Sequence, residues 1–261
     1  VIVSVNLRFD RQTVKEHLID PDQTSVVSEQ VVDENSVGSR SVPVGPSGVT
    51  TNLPEATGRE AATVSEFVKK NVTRNYESSS REIINHAENG VIGYGPLAKE
   101  GEEDRHLVNA GGQKVVPLPG MACVHHADSF MMIRGGMIDV TVMGAYEVAE
   151  NGDFANWRIP SRKGGGIGGA MDLAAGAKRV FIAMEHTTRD GATKLLKKCT
   201  LPITAPGVVK MLVTDLGLFE ITPEGFKLVE YAPGWSPEEI QEQTEAKLII
   251  PDDLKEFRFR S

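Results

Sequence analysis

A helix-and-strand unit in residues 168–186 is the feature that most constrains the fold of this chain. The stretch GGAMDLAAGAK is typical of a short helix that opens from a glycine loop, and the nearly continuous apolar run RVFIAMEH follows it directly. Such a run is typical of a strand that is buried on both faces of a parallel sheet. Apolar runs, short helices and glycine-rich loops continue to alternate from about residue 86 onward. We therefore predict an α/β fold with a mainly parallel sheet flanked by helices.

Other segments of this region carry their own secondary-structure signals. Predicted strands lie at 114–120 (KVVPLPG), 137–145 (MIDVTVMGA), 208–215 (VVKMLVTD) and 218–231 (LFEITPEGFKLVEY), the last being two strands joined by a turn. A short helix is predicted to begin at Asp128 and to end at Gly135. A final helix is predicted after Ser236, because Pro237 at its first position and Glu239 three residues after the cap complete a capping box.

Residues 1–85 differ in composition from the rest of the chain. All 8 methionines, both tryptophans and both cysteines lie after position 120, and the front contains the long run NSVGSRSVPVGPSGVTTNLPEATG of turn and linker residues. Such a run buries too little apolar surface to offset the entropy of ordering. We therefore predict a largely irregular N-terminal segment over 1–85, apart from one helix around 64–72, and we expect residues 1–60 to contribute little to the core. A domain over 86–250 and a tail over 251–261 follow.

Composition limits the classes of partner. The formal net charge is -8, and the Lys and Arg residues form no basic stripe with interleaved aromatic residues, so we expect no nucleic-acid partner. No apolar run approaches the ~18 residues that a membrane helix requires, and the sequence begins without the apolar core of a signal peptide. Two cysteines are too few for a disulfide framework and fit a reducing compartment. We therefore expect a cytoplasmic protein with no membrane partner.

The tetrapeptide Ala-Glu-Asn-Gly occurs twice, at 87–90 and at 149–152. In the second copy, Asn151-Gly152 stands between a strand-like segment and the aromatic segment DFANW, which is typical of a type I′ hairpin turn. This copy therefore has a structural explanation. The first copy is followed by the glycine-punctuated stretch VIGYGPLAKEGEED, for which we predict a loop instead of a return strand. Glu88 is accordingly predicted to lie at the mouth of a loop, where its carboxylate is available for chemistry.

A formal G-x-G-x-x-G pattern at Gly164, Gly166 and Gly169 raises the alternative of a dinucleotide-binding site. Two acidic residues, Glu185 and Asp190, follow the pattern at about the sequence distance where the acidic residue that binds the ribose is expected. This fingerprint normally follows an apolar strand, whereas here it follows RIPSRK. A nucleotide-dependent dehydrogenase is therefore the least favoured interpretation, and a glycine loop needed only for close helix–strand packing remains another.

Three further groups of side chains could carry chemistry. The CVHH cluster at 123–126 has no fourth ligand at a familiar spacing, so we predict no metal site. Glu185-His186 is either an acid–base pair or a polar cap at the end of a buried strand. Arg134 either meets a phosphate or binds the C-terminal carbonyls of its own helix.

Several long blocks in the second part of the chain resemble one known family. They are HAENGVIGYGP, LVNAGGQKVVPLPG, SFMMIRGGMIDVTVMGAYEV, GDFANWRIP, GGGIGGAMDLAAGAKRV and MEHTTRDGATKLLKKCTLPIT. They are similar to the B subunit of 3-oxoacid CoA-transferases, and the resemblance extends over about 86–250. The same blocks are similar to the C-terminal half of the single-chain succinyl-CoA:3-ketoacid enzyme. The resemblance implies a CoA-transferase B-type domain.

The family resemblance also implies roles for individual residues. The Glu of the family's Glu-Asn-Gly motif is its nucleophile, which corresponds to Glu88, with Asn89 and Gly90 as the supporting turn. Gly168 and Gly169 are implied to bind the CoA thioester, and Gly169 is implied to lend its backbone N–H to the oxyanion. The implied substrates are an acyl-CoA, such as succinyl-CoA, and a 3-oxoacid, such as acetoacetate. Coenzyme A is thus expected as a thioester substrate, with no permanently bound cofactor.

A carboxylate suits this reaction for chemical reasons. Moving CoA between two carboxylic acids requires a group that attacks a thioester, passes through a mixed anhydride and then holds CoA as a glutamyl thioester. A carboxylate is a weak nucleophile in water. The site must therefore exclude solvent and place N–H donors where the oxyanion develops.

The chain departs from the family pattern at two places. The family has Ser before the catalytic Glu, where this chain has Ala87, and it has a Gly-Ile-Gly-Ile-Pro-like turn after a first strand, which residues 1–85 lack. We therefore expect the first strand of the sheet to be absent. The family's active site lies between two halves, so the implied partner is an A subunit in a hetero-oligomer, and this chain alone should not turn over. Two interpretations remain: an enzyme subunit that carries Glu88, or a binding and assembly subunit impaired in catalysis.

Overall fold

The computed structural model describes residues 2–6, 84–161 and 166–257 of the 261-residue chain, the first five by their backbone alone. The helix predicted around 64–72 lies outside the described residues, as does Gly164 of the glycine pattern. Most of the segment predicted to be irregular, residues 7–83, lies outside them as well.

A ten-stranded sheet dominates the described part of the chain. Its strands are β1 (Ile2–Asn6), β2 (Ile84–His86), β3 (Val91–Ile92), β4 (Ala122–Cys123), β5 (Val140–Met143), β8 (Val180–Ala183), β10 (Val209–Val213), β11 (Gly217–Thr222), β12 (Gly225–Tyr231) and β13 (Lys255–Glu256). Across the sheet they follow the order β13-β12-β11-β10-β8-β5-β1-β2-β3-β4. A separate sheet contains β6 (Glu147–Ala149), β7 (Phe154–Ala155) and β9 (Leu195–Leu196), in the order β7-β6-β9.

The large sheet is parallel at its centre and antiparallel on both sides. The neighbours β10, β8, β5, β1 and β2 run parallel, whereas β10-β11-β12 and β2-β3-β4 are antiparallel. Short connections, such as the turn between Thr222 and Gly225, can join only antiparallel strands. The α/β class is confirmed, and the sheet is more mixed than predicted. All four residues of β5 and of β8 are buried, as expected for central parallel strands.

The expectation that the first strand of the sheet is absent is wrong for residues 2–6. Strand β1 lies between β2 and β5, with Val3 opposite Val140 and Ile2 opposite Ile84. The segment IVSVN is rich in β-branched residues, which favour strands. These five residues form a strand although the average composition of residues 1–85 favours irregular structure.

Three helices belong to the described ranges: α1 (His126–Arg134), α2 (Ala170–Gly176) and α3 (Pro237–Glu242). Helix α1 begins two residues before the predicted Asp128, because the Nδ1 atom of His125 accepts a hydrogen bond from the backbone N–H of Ala127 at 3.2 Å and caps the helix. Helix α3 has the predicted capping box at Ser236. None of the three is long and apolar enough to cross a membrane.

Two other sequence predictions need correction. Residues 114–120 form no strand; Lys114 and Val115 make only isolated bridges, to Val108 and Leu97. The two prolines of this segment lack the N–H that a ladder requires. The predicted tail is part of the fold, since β13 extends the sheet at β12 and Phe257 is fully buried.

Helices α1 and α2 pack with their backbones in contact. A Cβ at Gly176 would lie 2.1 Å from the carbonyl oxygen of Ile133, so only glycine permits this approach. The large hydrophobic cluster of the chain includes Ile133 of α1 and Leu173 of α2, both fully buried. The last turn of α2 is therefore held at a fixed place beside α1.

A smaller hydrophobic cluster, which we call the hairpin cluster, consists of Ala87, Val91, Tyr94 and Val115. It packs the first Ala-Glu-Asn-Gly copy against the loop that follows it. The hairpin cluster therefore provides a rigid base for Glu88, the candidate nucleophile.

Candidate active site

The first Ala-Glu-Asn-Gly copy is the turn of a β-hairpin. The N–H of Ala87 donates to the carbonyl oxygen of Val91 and the N–H of Gly90 donates to the carbonyl oxygen of Ala87, both at 2.9 Å. His86 of β2 stands opposite Ile92 of β3 in an antiparallel pair. The prediction of a loop without a return strand is therefore wrong, because a return strand of only two residues is too short to leave a periodic signal in the sequence.

The second copy makes the same turn. The N–H of Ala149 donates to the oxygen of Asp153 and the N–H of Gly152 donates to the oxygen of Ala149, both at 2.9 Å. The predicted hairpin is confirmed, since β6 and β7 pair antiparallel. Its predicted turn type is wrong: a type I′ turn requires a positive φ at Asn151, and in the described ranges only glycines have one, here Gly152 at +87°. A three-residue turn that ends in a left-handed glycine accounts for both copies.

The two glutamates differ in what surrounds them. Glu88 lies in an open cleft of about 640 Å³, a volume in the range of ligand sites. The cleft is lined by Glu88, His126, Ala127, Phe130, Met131, Arg134, Gly168 and Gly169. Glu150 lies instead beside Gly225, the first residue of β12, where a Cβ on the glycine would be 3.8 Å from its side chain. The same local turn thus presents one carboxylate to a cleft and the other to the side of the sheet.

Burial alters the acidity of the first glutamate. It raises the pKa of the Glu88 carboxyl from 4.5 to about 7. Removing a carboxylate from water disfavours its charged form, which raises its free energy and makes it a better nucleophile once it is ionised.

The structure brings Glu88 next to Gly169, the residue paired with it in the sequence prediction. A Cβ on Gly169 would lie 3.3 Å from Cγ of Glu88 and 3.1 Å from Cζ of Phe130. Gly169 is also the N-terminal cap residue of α2. Gly168, which has a φ of +53°, is exposed and lines the same cleft. A side chain at position 169 would therefore press on Phe130 and on Glu88 and displace them.

Asn89 and Gly90 anchor the Glu88 turn. The side-chain Nδ2 of Asn89 donates to the carbonyl oxygen of Val108 at 2.8 Å. Gly90 has a φ of +109°, and a Cβ there would lie 2.3 Å from the carbonyl oxygen of Val124. The backbone of Gly90 in turn accepts a hydrogen bond from the N–H of Val124 at 2.9 Å. The turn is therefore fixed from two sides.

The sequence of this chain is similar to those of known CoA-transferases. The model of the family described as Coenzyme A transferase matches residues 56–243. The chain belongs to this family. It is 46% identical over 174 residues to the B subunit of the succinyl-CoA:3-ketoacid coenzyme A transferase of Helicobacter pylori, a match that covers 67% of this chain and 84% of the relative. It is also 46% identical over 175 residues to the B subunit of the 3-oxoadipate CoA-transferase of Pseudomonas putida, covering 65% of this chain and 80% of that one.

A solved structure agrees on the fold. Glutaconate coenzyme A-transferase from Acidaminococcus fermentans superimposes with a TM-score of 0.53 at 18% identity, over 76% of this chain and 79% of that chain. Identity this low supports the fold alone.

The front of the transferase chain also resembles a different family. A model described as Flagellar M-ring protein C-terminal matches residues 1–93. Because the transferase match begins at 56, residues 1–55 are matched by the M-ring model alone. The front of the chain therefore lacks the glycine turn of the transferases and resembles another group of proteins instead.

Ala87, which stands where the family has a serine, lies in the hairpin cluster and does not line the cleft. Ala87 is fully buried and belongs to the hairpin cluster with Val91, Tyr94 and Val115. A serine at position 87 would thus direct its hydroxyl into this cluster instead of into the cleft.

Two polar residues that were not predicted from the sequence lie behind the cleft. His86 and Ser129 are both fully buried, and the Oγ of Ser129 lies 3.0 Å from Nε2 of His86 and 3.5 Å from the carbonyl oxygen of Ala87. Burial lowers the pKa of His86 from 6.5 to about 4, so the ring is neutral at neutral pH. A histidine two residues before the candidate nucleophile was the available signal.

Arg134 forms an ion pair with α2 and also lines the cleft, so the interpretation that it meets a phosphate stays a prediction. Its Nε donates to Oδ1 of Asp172 at 2.7 Å, and its guanidinium lies over the ring of Phe130 at 5.6 Å from the centroid. Asp172 stands in the first turn of α2, which follows Gly168 and Gly169. The pair therefore joins the C-terminal end of α1 to the start of α2.

The remaining candidates have structural explanations. The ring of His186 is buried and lies 3.0 Å from the hydroxyls of Thr214 and Thr244, and burial, helped by Lys194, lowers its pKa to about 3. The interpretation as a polar cap at the end of a buried strand is confirmed. In the CVHH cluster, Cys123 is exposed, His125 caps α1, and the ring of His126 packs on Phe130 with the two centroids 4.7 Å apart.

The dinucleotide interpretation lacks its structural context. The fingerprint requires a strand immediately before the glycine loop. Strand β7 ends at Ala155, and the described residues 156–161 that follow it contain no strand. Gly166 and Gly168 are exposed. The glycine pattern is therefore no evidence for a nicotinamide cofactor.

Proposed function

We propose that this chain is the B subunit of a CoA-transferase that moves CoA between an acyl-CoA and a 3-oxoacid through a thioester on Glu88. One observation carries the proposal: of the two identical tetrapeptides, the first has its glutamate in the cleft beside α1 and next to Gly169, and the second does not line this cleft. A carboxylate with a pKa raised to about 7 is still ionised in part at neutral pH and is poorly solvated. This combination suits a nucleophile.

The reaction proceeds in two half-reactions. A carboxylate oxygen of Glu88 attacks the thioester carbonyl, and CoA leaves as a thiolate, which gives a mixed anhydride between Glu88 and the acyl group. The thiolate then attacks the Glu88 carbonyl carbon, the donor acid departs as a carboxylate, and a glutamyl-CoA thioester remains. An acceptor acid reverses these steps and takes the CoA. The backbone N–H of Gly169 donates to the oxyanion of each tetrahedral intermediate.

The relatives suggest the class of substrate. The Helicobacter pylori relative is named for succinyl-CoA and a 3-ketoacid, and the Pseudomonas putida relative for 3-oxoadipate. We assign succinyl-CoA as the donor and a 3-oxoacid such as acetoacetate as the acceptor. Coenzyme A passes through the site as a substrate and needs no resident cofactor.

A partner chain completes the site in this proposal. Both relatives are named as B subunits, which implies an A subunit. The cleft is open on one side, and Met131 and Ile167 near it expose 64% and 59% of their surface. A partner that covers these side chains would exclude water from Glu88 and form a hetero-oligomer. We place the complex in the cytoplasm.

The proposal is tested by mapping the covalent intermediate. The chain is mixed with an A subunit of this family and with succinyl-CoA, treated with borohydride or hydroxylamine, digested and examined by peptide mass spectrometry. We expect the modification on the peptide that contains Glu88 and none on the peptide that contains Glu150. A modification at Glu150, or a formed complex with no modified peptide, contradicts the proposal.

A second candidate function has an observation in its favour. The M-ring match over 1–93 and the missing glycine turn suggest a member of the family in which the front segment supports assembly and catalysis is impaired. This candidate predicts an A–B complex of normal stability that forms no thioester. The same mass-spectrometric experiment therefore separates the two functions.

The pH dependence of thioester formation follows from the acidity of Glu88. Attack requires the carboxylate, and burial raises the pKa of this group to about 7. In the A–B complex we expect the second-order rate constant of thioester formation to fall about tenfold per pH unit below this value and to level off above it. Stopped-flow measurement between pH 5.5 and 8.5, in roughly half-unit steps, checks this. A profile that is flat down to pH 5.5 would show that the nucleophile is a more acidic group.

A further inference from the structure

Helix α1 contacts both parts of the proposed active site through two adjacent residues. Ser129 is fully buried and its Oγ reaches His86 and Ala87, at the base of the Glu88 turn. Phe130, the next residue, packs against Gly169, where a Cβ would lie 3.1 Å from its Cζ. One turn of helix thus lies between the strand that presents the nucleophile and the loop that presents the N–H donor.

Helix α1 is held firmly against α2, the helix whose N-terminal cap is Gly169. The backbones of α1 and α2 touch at Gly176 and Ile133, where no Cβ fits. The ion pair of Arg134 and Asp172 joins the same two helices a second time, at 2.7 Å. The position of Gly169 relative to α1 is therefore set by packing. The distance from Gly169 to Glu88 then depends on how α1 holds the hairpin.

The hydrogen bonds of Ser129 indicate which tautomer of His86 is present. In the part of the chain that the structure describes, Nδ1 of His86 has no hydrogen-bond partner. A buried N–H without an acceptor is rarer in folded proteins than a buried acceptor without a donor. The proton therefore belongs on Nε2, which donates to Oγ of Ser129, and the hydroxyl of Ser129 donates to the carbonyl oxygen of Ala87. The result is a relay of two hydrogen bonds from β2 through α1 to the Glu88 turn.

We propose that Ser129 and His86 are positioning residues that set the distance between the Glu88 carboxylate and the Gly169 N–H. Neither touches the substrate, because both are fully buried. They act through the carbonyl group of Ala87, which also accepts the hydrogen bond from Gly90 that closes the turn. This inference rests on the proposed function. A misplacement of about 1 Å at the reacting atoms costs on the order of 10²-fold in rate, so a weak contact can have a large kinetic effect.

The test measures thioester formation in the A–B complex with succinyl-CoA under single-turnover conditions. In Ser129→Ala, we expect the rate constant at saturation to fall about 10- to 100-fold. The concentration of succinyl-CoA at half saturation should change less than about threefold, since binding contacts are intact. His86→Leu should cause a similar loss, and the double variant should be little slower than either single variant because both act through one relay. His86→Gln, whose amide can donate from the place of Nε2, should recover most of the rate.

Thr141→Val is the matched control. Thr141 is fully buried in β5, and in the described part of the chain its hydroxyl has no hydrogen-bond partner. Removing it deletes a buried hydroxyl without touching the hairpin, so the rate should stay within about twofold of the original. If this variant slows the reaction as much as Ser129→Ala does, the effect of Ser129 is general destabilisation and the inference is wrong.

The remaining outcomes separate the two proposals. If the unaltered complex forms the thioester and Ser129→Ala forms it at the same rate with a lower melting temperature, Ser129 is only structural and the positioning role is overturned. If the unaltered complex forms no thioester, the proposed function fails and this inference fails with it. A loss of rate that His86→Gln does not recover contradicts the relay through Nε2.

Discussion

Replacing Glu88 with glutamine is expected to abolish CoA transfer while it stabilises the fold above neutral pH. The amide cannot attack a thioester, so the A–B complex should lose about 10⁴-fold or more in turnover. Glu150→Gln is the matched control, because Glu150 stands at the same position of the same turn but outside the cleft. Its turnover should remain within about twofold of the original. Steady-state assay of succinyl-CoA with acetoacetate measures both variants.

The stability effect of Glu88→Gln follows from the direction of the pKa shift. Folding raises the pKa of this carboxyl from 4.5 to about 7, so the unfolded chain ionises first. Between these two values, the contribution of Glu88 to the free energy of unfolding falls as pH rises, by up to roughly 3 kcal/mol. An amide escapes this penalty. Thermal unfolding of the isolated chain should therefore show a higher melting temperature for the variant at pH 8 and almost none of this difference at pH 4.5.

A residue that lowers stability and is essential for turnover is the pattern expected of a functional site. If Glu88→Gln retains activity, another group is the nucleophile. If the variant is less stable than the original chain at pH 8, the cleft does not impose the desolvation that the pKa shift implies. Either result contradicts the assignment of Glu88.

Parts of this site could be predicted from the sequence because they depend on residue type at fixed spacing. The buried strand at 180–183 is evident from its apolar run, and the capping box at Ser236 from its three-residue spacing. Glu88 and Gly169 were paired through family resemblance, and the structure places them in contact. The local pattern could not rank the two tetrapeptides correctly by turn type, since both make the same hairpin.

What distinguishes Glu88 from Glu150 is tertiary. The cleft around Glu88 is formed by α1 and by the loop before α2, which lie far from it in sequence. The link between His86 and Ser129 joins residues 43 positions apart. Periodicity and spacing within a window of about 18 residues contain no information on such contacts.

Strand β1 at the front of the chain could not be predicted from composition or from family patterns. Its overall composition indicates an irregular segment, and the M-ring match shows that much of it follows the pattern of another family. Yet five residues of it, β1, occupy the middle of the transferase sheet. An extended apolar segment can pair with the two parallel strands β2 and β5 if its backbone N–H and C=O groups complete their hydrogen bonds. Sheet pairing of this kind depends on backbone groups more than on side-chain identity, which is why family patterns did not reveal it.

Replacing Gly90 with alanine is expected to disrupt the active-site hairpin. The φ of +109° is unfavourable for any residue with a Cβ, and this Cβ would lie 2.3 Å from the carbonyl oxygen of Val124. Relief requires the hairpin to separate from the segment before α1, which breaks the hydrogen bond from the Val124 N–H to Gly90 at 2.9 Å. We expect a loss of about 3 kcal/mol or more in the free energy of unfolding. Thioester formation at Glu88 should fall at least about 100-fold even at temperatures where the variant is folded.

Gly101→Ala is the control that separates backbone strain from the clash. Gly101 also has a left-handed backbone, with a φ of +88°, but a Cβ there meets no atom within 4 Å. This variant should lose only about 1 kcal/mol, the cost of a left-handed alanine, and should form the thioester at a normal rate. Urea unfolding and the single-turnover assay measure both variants. If Gly90→Ala is no less stable than Gly101→Ala, the Val124 carbonyl moves aside without cost, and the hairpin is held by the Asn89 contact and the hairpin cluster instead of by the close approach at Gly90.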